Sequence, residues 1–320
     1  MATKQFIISG IPNDPATTGT NYTSLISGGN IPWETIEAYS ESIISTAGKL
    51  SNFKVGVKTA PGAGKSWTFT IRKAASGAAM ANTTLSVTIS DTAVLSALDA
   101  DEVTVAAGDR VTISATGTGT PTTVGAVYWT CQFTPDTNGE TILLSNSIGS
   151  TMTTNYFVTL VGGKVDDNIE FDTQTLIPTA GTLKNFYVEL TGAPGGGNSW
   201  IFTIRKNGVA TSLAVTISGT AKTGNDNANT LTIAAGDRVT IQGISTGTPA
   251  TTAVKFGSTF LPDVQGEWFT SATTDDPTSS TAVEYQQPST GDSLLTATEN
   301  EQHGLAQATT AKKIYVNLDT

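Results

Sequence analysis

The sequence predicts an all-β protein made of two tandem antiparallel β-sandwich modules, followed by a partial third repeat at the C-terminus. Three features of the 320 residues support this prediction. Sequence blocks recur along the chain, apolar residues alternate with Thr and Ser at the period of two that marks half-buried strands, and clusters of Gly, Pro and Asn separate these segments. Charged residues make up only 14% of the chain, which excludes the Glu- and Lys-rich long helices of coiled coils.

The repeat consists of four blocks that return in the same order. Residues 106–113 (AAGDRVTI) return unchanged at 234–241. The other pairs of blocks are 66–73 with 199–206, 85–90 with 213–218, and 118–121 with 246–249. Because the order is kept and only small insertions lie between the blocks, we infer a duplicated module of about 110–130 residues, a common domain size.

A further block indicates the third repeat. Residues 47–55 return at 180–188, and residues 309–318 resemble them again. The chain therefore holds two complete modules and the opening part of another. The predicted divisions are an N-terminal arm at 1–20, a first module at 21–140, a linker at 141–154, a second module at 155–270 and a C-terminal tail at 271–320.

Each module is predicted to contain about eight short strands, as in a sandwich or barrel. Trp67, Phe69 and Ile71 alternate with threonines, and this pattern is typical of a half-buried strand. The same alternation occurs at 85–89, 103–105, 111–113, 186–190, 200–204 and 231–233. Turn-forming residues lie between these segments, and helix signals are nearly absent, with a single candidate turn at 33–39.

The charge balance limits the kinds of partner. The chain has 27 acidic and 17 basic residues, a net charge of −10 and a pI near 4.5, so it lacks the basic surface of a nucleic-acid-binding protein. No apolar run is long enough to cross a membrane, and the run at 6–8 is too short for a signal-peptide core. We expect no nucleic-acid partner, no membrane partner and no signal peptide, with the protein located in a virion or at an extracellular surface.

Residues that carry catalysis are scarce. The single cysteine, Cys131, forms no intramolecular disulfide or zinc cluster, and the single histidine, His303, has no nucleophile motif near it. Residues 59–66 (TAPGAGKS) resemble a phosphate-binding loop, but its first glycine is replaced by Thr59 and a strand follows instead of a helix. A glycine-dependent hairpin is the better interpretation. We expect no enzyme activity, catalytic residue, cofactor or metal site.

Acidic residues recur in two settings that are interpreted as structural. Asp109 and Asp237 each follow a glycine and precede an arginine, so each is expected to bond its own backbone in a turn while the arginine begins the next strand. Four other acidic clusters resemble partial Ca²⁺ ligand sets without the complete spacing. They lie at 99–102, 166–167, 225–227 and 275–276, and solvated loops are the better interpretation.

The five tryptophans are candidates for a sugar-stacking platform. Trp67 and Trp200 occupy equivalent positions in the repeat, on the inward side of a strand, which predicts that both are core residues. Trp33, Trp129 and Trp268 have no such counterpart and are therefore candidate surface or interface aromatics.

The succession of blocks resembles the C1q/TNF-like jelly-roll modules of bacteriophage structural proteins and bacterial surface proteins. The resemblance is carried, in order, by Gly-x-Leu-x-Asn-Phe, a Pro-Gly turn, Ser-Trp-x-Phe-Thr-Ile-Arg-Lys, Leu-x-Val-Thr-Ile-Ser and Ala-Ala-Gly-Asp-Arg-Val-Thr-Ile. Its most specific part is Ala-Ala-Gly-Asp at 106–109 and 234–237. It covers about 20–136 and 154–263 and, more weakly, 282–320. It implies a jelly roll of eight or ten strands that is often trimeric, although such modules usually occur singly.

Three functional classes are compatible with this sequence. The first is a self-assembling virion protein, such as a phage coat, capsid-decorating or head-fibre subunit, which fits tandem modules without a catalytic constellation. The alternative is a microbial extracellular filament, surface-layer or adhesin subunit, in which the incomplete repeat completes a neighbour's sheet by strand exchange. The third, a carbohydrate-binding or hydrolase accessory module, needs paired carboxylates or an aromatic platform with suitable spacing, and the sequence shows neither.

Assembly is expected to bury apolar side chains that the module cores do not use. The candidate contact residues lie in the arm, the linker and the tail. They are Phe6, Ile7, Ile8, Ile142, Leu143, Leu144, Tyr285, Ile314, Tyr315, Val316 and Leu318. The expected partners are copies of the chain and other particle or fibre proteins, and the sequence identifies no glycan or receptor.

Overall fold

The computed structural model describes residues 3–11, 13–26, 33–147, 152, 155–163, 165–166, 169–270, 311, 313, 314 and 316. These residues form nineteen strands and two short 3₁₀ turns, at Glu37–Tyr39 and Phe171–Thr173, with no α-helix in any of these ranges. The all-β prediction is therefore confirmed.

The first module consists of strands β1 to β9, which form two antiparallel sheets. One sheet has the order β1-β9-β4-β7, and the other has the order β2-β8-β5-β6 with the short β3 also paired to β8. The strands are β1 (Gln5–Ile11), β2 (Thr20–Thr23), β3 (Ser42–Ile43), β4 (Gly48–Val57), β5 (Gly62–Ala74), β6 (Ala81–Asp91), β7 (Ser96–Val105), β8 (Arg110–Thr118) and β9 (Val127–Pro135).

The second module consists of strands β10 to β19 and repeats this arrangement. Its sheets have the orders β10-β19-β14-β17 and β12-β11-β18-β15-β16, with the short β13 paired to β18. The strands are β10 (Thr141–Asn146), β11 (Tyr156–Thr159), β12 (Val165–Asp166), β13 (Thr175–Leu176), β14 (Gly181–Leu190), β15 (Gly195–Lys206), β16 (Val209–Gly219), β17 (Thr223–Ile233), β18 (Arg238–Thr246) and β19 (Val254–Pro262).

Apart from β12, which the first module lacks, the two strand orders correspond, and the eight main strands of each have the order of a jelly roll. The first and last long strands of a module are neighbours in one sheet, and the second and second-to-last are neighbours in the other. The prediction of two tandem antiparallel jelly rolls is confirmed. The predicted third repeat, at 271–320, lies outside the described residues except for Ala311, Lys313, Ile314 and Val316.

Equivalent aromatic pairs occupy the two cores. Trp67 and Phe69 of β5 are fully buried, and their ring centroids lie 6.3 Å apart with an interplanar angle of 27°. Trp200 and Phe202 of β15 are also fully buried and have the same separation and angle. The prediction that the two tryptophans are equivalent core residues is confirmed.

Two other tryptophans also lie in the first core, contrary to the interpretation of Trp33 and Trp129 as surface aromatics. Both side chains are buried, and their rings lie 6.4 Å apart. The Trp129 indole donates a hydrogen bond to the carbonyl oxygen of Leu25 at 2.8 Å, which satisfies its polar group. The repeat did not identify these two tryptophans as core residues, because the sequence of the second module has no tryptophan at the equivalent positions.

The segments assigned to the arm and the linker both contribute strands. β1 pairs along its whole length with β9, and β10 pairs with β19 in the same way. Each is therefore the first strand of a jelly roll. The prediction of a hairpin at residues 59–66 is wrong, since this segment leads from β4 into the start of β5 and these two strands belong to different sheets. The glycine requirement holds, because Gly62 and Gly64 both have positive φ.

The predicted turns at Asp109 and Asp237 are confirmed. The Asp109 carboxylate accepts a hydrogen bond from the backbone N–H of Ala106 at 2.9 Å, and Asp237 accepts one from Ala234 at 2.8 Å. In both modules the arginine that follows begins the next strand, β8 or β18. The aspartates therefore close the turns that lead into equivalent strands.

The interpretation of the acidic clusters as loops is wrong for the two clusters that the structure describes in full. Residues 99–102 lie in β7, and residues 225–227 lie in β17. Asp226 is buried and accepts hydrogen bonds from Ala214, Ala228 and Asn229 at 2.9–3.1 Å. Burial disfavours the charged carboxylate, but these hydrogen bonds outweigh it and lower the pKa of Asp226 below the ordinary aspartate value.

The lowered pKa of Asp226 predicts acid sensitivity of the second module. A carboxyl group whose pKa is depressed by folding stabilises the protein above about pH 4, and this contribution is lost as the pH falls through the folded pKa. Asp226→Asn is therefore expected to lower the free energy of unfolding by about 1 kcal/mol at pH 7 and by less at pH 3. Urea denaturation at both pH values measures this, and equal losses at the two pH values would contradict it.

Candidate assembly site

The two modules meet at residues 40–46 of the first module, a segment that we call the strap. All seven residues are buried. Within the strap, β3 pairs with β8 on one side and lies against β10 and β19 of the second module on the other. The equivalent segment of the second module, residues 173–179, is here called the second strap, and only its alternate residues are buried. The second module therefore supplies the extra cover of the first strap.

The backbone of the strap packs directly on a glycine of the second module. A Cβ atom built on Gly257 of β19 would overlap the carbonyl oxygen of Ile43, so only glycine permits this approach. Beside this contact, the Ser45 hydroxyl lies 2.9 Å from that of Thr259. The close approach fixes where the strap crosses the sheet.

Four charged side chains form a cluster within the junction. Glu41 of the strap lies 2.6 Å from the ammonium group of Lys255 and 2.9 Å from the guanidinium group of Arg110. Glu189 of β14 completes the cluster, at 3.2 Å from Lys255 and 3.6 Å from Arg110. Two acidic and two basic groups, contributed by both modules, therefore balance one another in a region shielded from water.

The rim of the junction adds polar contacts. The Gln5 side chain of β1 donates to the carbonyl oxygen of Ile142 at 2.8 Å and accepts from its N–H at 2.7 Å. Glu140 accepts a hydrogen bond from the Thr46 hydroxyl and forms an ion pair with Lys184 at 2.6 Å. The junction thus combines backbone contact, charge pairing and side-chain hydrogen bonds, all features of a specific interface.

The predicted contact residues of β1 and β10 are buried by other parts of the same chain. Ile7 and Leu143 point into their module cores, while Phe6 and Ile8 point to the opposite side of their sheet and are still buried. The equivalent outward pair, Ile142 and Leu144, lies on the side of β10 that faces the strap. These three β10 residues and the three β1 residues named above are buried within one chain, and their part in contacts between chains stays a prediction.

The predicted contact residues of the tail fall into two groups. Tyr285, Tyr315 and Leu318 lie outside the described residues. The other two, Ile314 and Val316, are 89% and 72% exposed. Their apolar side chains are therefore available for contact with another molecule.

An apolar patch on the first module was missed by the sequence analysis. Val94, Leu95 and Leu98, at the turn into β7 and on that strand, are 42%, 48% and 54% exposed. β7 is an edge strand of its sheet. Strand register equates the three residues with Ala221, Lys222 and Asn225 of the second module. Comparison of the two repeats at these positions was the signal that could have revealed the patch.

Cys131 of β9 lies in the core of the first module and is fully buried. Burial raises the pKa of its thiol to about 12, so the reactive thiolate is nearly absent at neutral pH. A thiol reagent is expected to label Cys131 only when the module opens, at a rate that tracks unfolding in urea. Rapid labelling of the native protein would contradict this placement.

No family model matches this sequence, and no curated protein matches it significantly. Within the described ranges, no group of three or more His, Cys, Asp or Glu side chains is placed to hold a metal ion. In the same part of the chain, no helix has the length and apolar character needed to cross a membrane. The residue His303 lies outside the described residues.

Proposed function

We propose that this chain is a non-enzymatic structural protein that self-assembles as a virion component, namely a coat, capsid-decorating or head-fibre subunit. The observation that carries the proposal is the patch of Val94, Leu95 and Leu98. Its counterparts in the second module, Ala221, Lys222 and Asn225, include no large apolar side chain, so the jelly roll folds without one at this place. Large exposed apolar side chains that folding does not require are typical of contact sites for other molecules.

The junction between the modules gives independent support. It shows that a jelly roll of this sequence type recognises another of its kind through the outward side of a sheet. The contacts are built from paired charges and close backbone packing, as between Glu41 and Lys255 and between Ile43 and Gly257. A particle subunit needs such module-to-module recognition and needs no reaction chemistry.

The proposal is tested by installing the residues of the second module in the patch. The triple variant Val94→Ala, Leu95→Lys, Leu98→Asn is expected to keep the stability of the original chain, because all three side chains are exposed, and to lose self-association. Urea denaturation measures the stability, and sedimentation velocity with electron microscopy measures the self-association. Val209→Ala removes another exposed apolar side chain and is the matched control, expected to assemble normally. A monodisperse monomer of the original chain, or undiminished assembly of the triple variant, would overturn the proposal.

The exposed Ile314 and Val316 favour the alternative, an extracellular filament, surface-layer or adhesin subunit. Both belong to the block that resembles β14, where apolar side chains fill a core, and here they are exposed. A strand of this kind can complete the sheet of a neighbouring subunit. Long threads that disappear in the variant Ile314→Ser, Val316→Ser would support this function, whereas closed shells or discrete knobs that form in the same variant would exclude it.

A further inference from the structure

The acidic residue at the end of the first module has a counterpart at the end of the second. β9 continues into PDTNGE at 135–140, and β19 continues into PDVQGE at 262–267. Glu140 accepts a hydrogen bond from Thr46 at the end of the strap, and Glu267 accepts one from Thr179 at the end of the second strap. The rim of the junction is thus repeated one module further along the chain.

A lysine of the third repeat also lies near this second acidic residue. Glu140 pairs with Lys184 of β14 at 2.6 Å, and Glu267 lies 3.6 Å from Lys313. Lys313 belongs to residues 309–318, the block that resembles β14 in sequence. The third repeat therefore meets the second module at Glu267, the counterpart of the Glu140 that the second module contacts at the first junction.

The chain also returns to the first module at this point. Trp268, which follows Glu267 directly, places its ring 6.2 Å from that of Phe6. Phe6 is on the outward side of β1, the position that Ile142 occupies in β10. The end of the second module, just before the third repeat begins, thus touches the outward side of the first sheet.

That outward side is covered. Thr130 and Gln132 of β9 point away from the module core, yet each is only 1% exposed, and Ile8 beside them is buried. We call Phe6, Ile8, Thr130 and Gln132 the first outer face. In the second module the equivalent face is the one that receives the strap.

We propose that the first outer face and the second strap together form a docking site for the third repeat, and that residues 271–320 of the same chain occupy it. In this arrangement the third repeat contacts the second module on one side and the first module on the other. The 50 residues have ample length to cross both surfaces, because an extended chain spans about 3.3 Å per residue. This inference does not depend on the proposed function, because it concerns surfaces within one chain.

A second copy of the chain is a poorer occupant of the first outer face. Thr130 stands where the second module has Gly257, so a strap that approached in the same way would collide with the threonine side chain. Tyr128 likewise stands where the second module has Lys255, and the acidic Glu41 of a strap would lose its partner. The junction between the modules therefore cannot be repeated unchanged from chain to chain.

The test uses the full chain with a protease recognition sequence inserted after Thr270. After cleavage at neutral pH, we expect the fragment of residues 271–320 to co-elute with the body in size-exclusion chromatography. Separation of the fragment from a folded, monomeric body would overturn the proposal. Assembly of the cleaved body end to end would also overturn it, because a second copy would then occupy the site. Neither result bears on the patch variants that test the proposed function.

Point variants in the same chain locate the contact. Lys313→Glu is expected to speed release of the cleaved fragment by about threefold, as loss of a partly exposed ion pair predicts. Lys58→Glu, at an exposed lysine of the body, is the control and is expected to leave the rate unchanged. Labelling of Cys131 before cleavage checks that each variant is folded. Equal release rates for the two variants would contradict the proposed contact.

Discussion

Lys255→Met is expected to lower the free energy of unfolding by about 3–5 kcal/mol, the usual cost of removing one partner from a buried ion pair. The Lys255 side chain is buried between Glu41 and Glu189. Without it, Arg110 faces two buried carboxylates alone. Urea denaturation followed by tryptophan fluorescence measures the loss.

Two further variants separate the charge effect from the loss of packing. Lys255→Met combined with Glu41→Gln leaves one acidic and one basic group, Glu189 and Arg110, and is expected to regain much of the lost stability. Lys49→Met removes an ion pair with Glu102 in which both side chains are about half exposed, and is expected to cost far less, because exposed ion pairs contribute little to stability. If Lys255→Met costs no more than Lys49→Met, the cluster does not hold the modules together.

Gly257→Ala is expected to cost at least about 2 kcal/mol, because overpacking at a rigid contact displaces backbone. The new Cβ would overlap the carbonyl oxygen of Ile43, and this atom cannot move without disturbing the pairing of β3 with β8. The strap must then withdraw from β19. Urea denaturation gives the cost, and faster hydrogen exchange in the strap reports the withdrawal.

Gly196→Ala is the matched control for this substitution. A Cβ at Gly196 of β15 would meet no atom within 4 Å. Alanine at an unstrained glycine position restricts the unfolded chain and is expected to stabilise by up to about 1 kcal/mol. Opposite signs for the two variants are expected, and a neutral Gly257→Ala would show that the approach of the strap is not close.

The duplication allowed most of the fold to be predicted from sequence. Alternation at Trp67, Phe69 and Ile71 indicates which side of β5 is buried, and its recurrence around Trp200 indicates a second module of the same kind. Both signals are local or depend on sequence identity, so no knowledge of long-range packing was needed. The turns at Asp109 and Asp237 were predictable for the same reason.

The partner of a buried strand was not predictable in this way. Periodicity identifies Ile142 and Leu144 as apolar residues outside the regular blocks, but it does not say what covers them. A linker exposed to other subunits and a first strand packed on the preceding module have the same local pattern. Only the pairing of β10 with β19 and the position of the strap distinguish them.

The junction was missed because its residues differ between the repeats. Glu41 and Lys255 have Gln174 and Tyr128 as counterparts, so a search for recurring residues overlooks them. The junction could have been predicted from charged residues in one module whose equivalents in the other module are uncharged. The same comparison applied to Val94, Leu95 and Leu98 would have indicated the apolar patch.

Hydrogen exchange at two equivalent amides tests most directly the central claim that the second module covers the strap. Ile44 donates to Asp109 at 2.8 Å, and Ile177 of the second strap donates to Asp237 at 2.9 Å, so their hydrogen bonds are matched. Because every residue of the first strap is buried, whereas alternate residues of the second strap are partly exposed, the Ile44 amide is expected to exchange more slowly than that of Ile177. Equal exchange rates at the two amides in the intact chain would contradict the packing described for the modules.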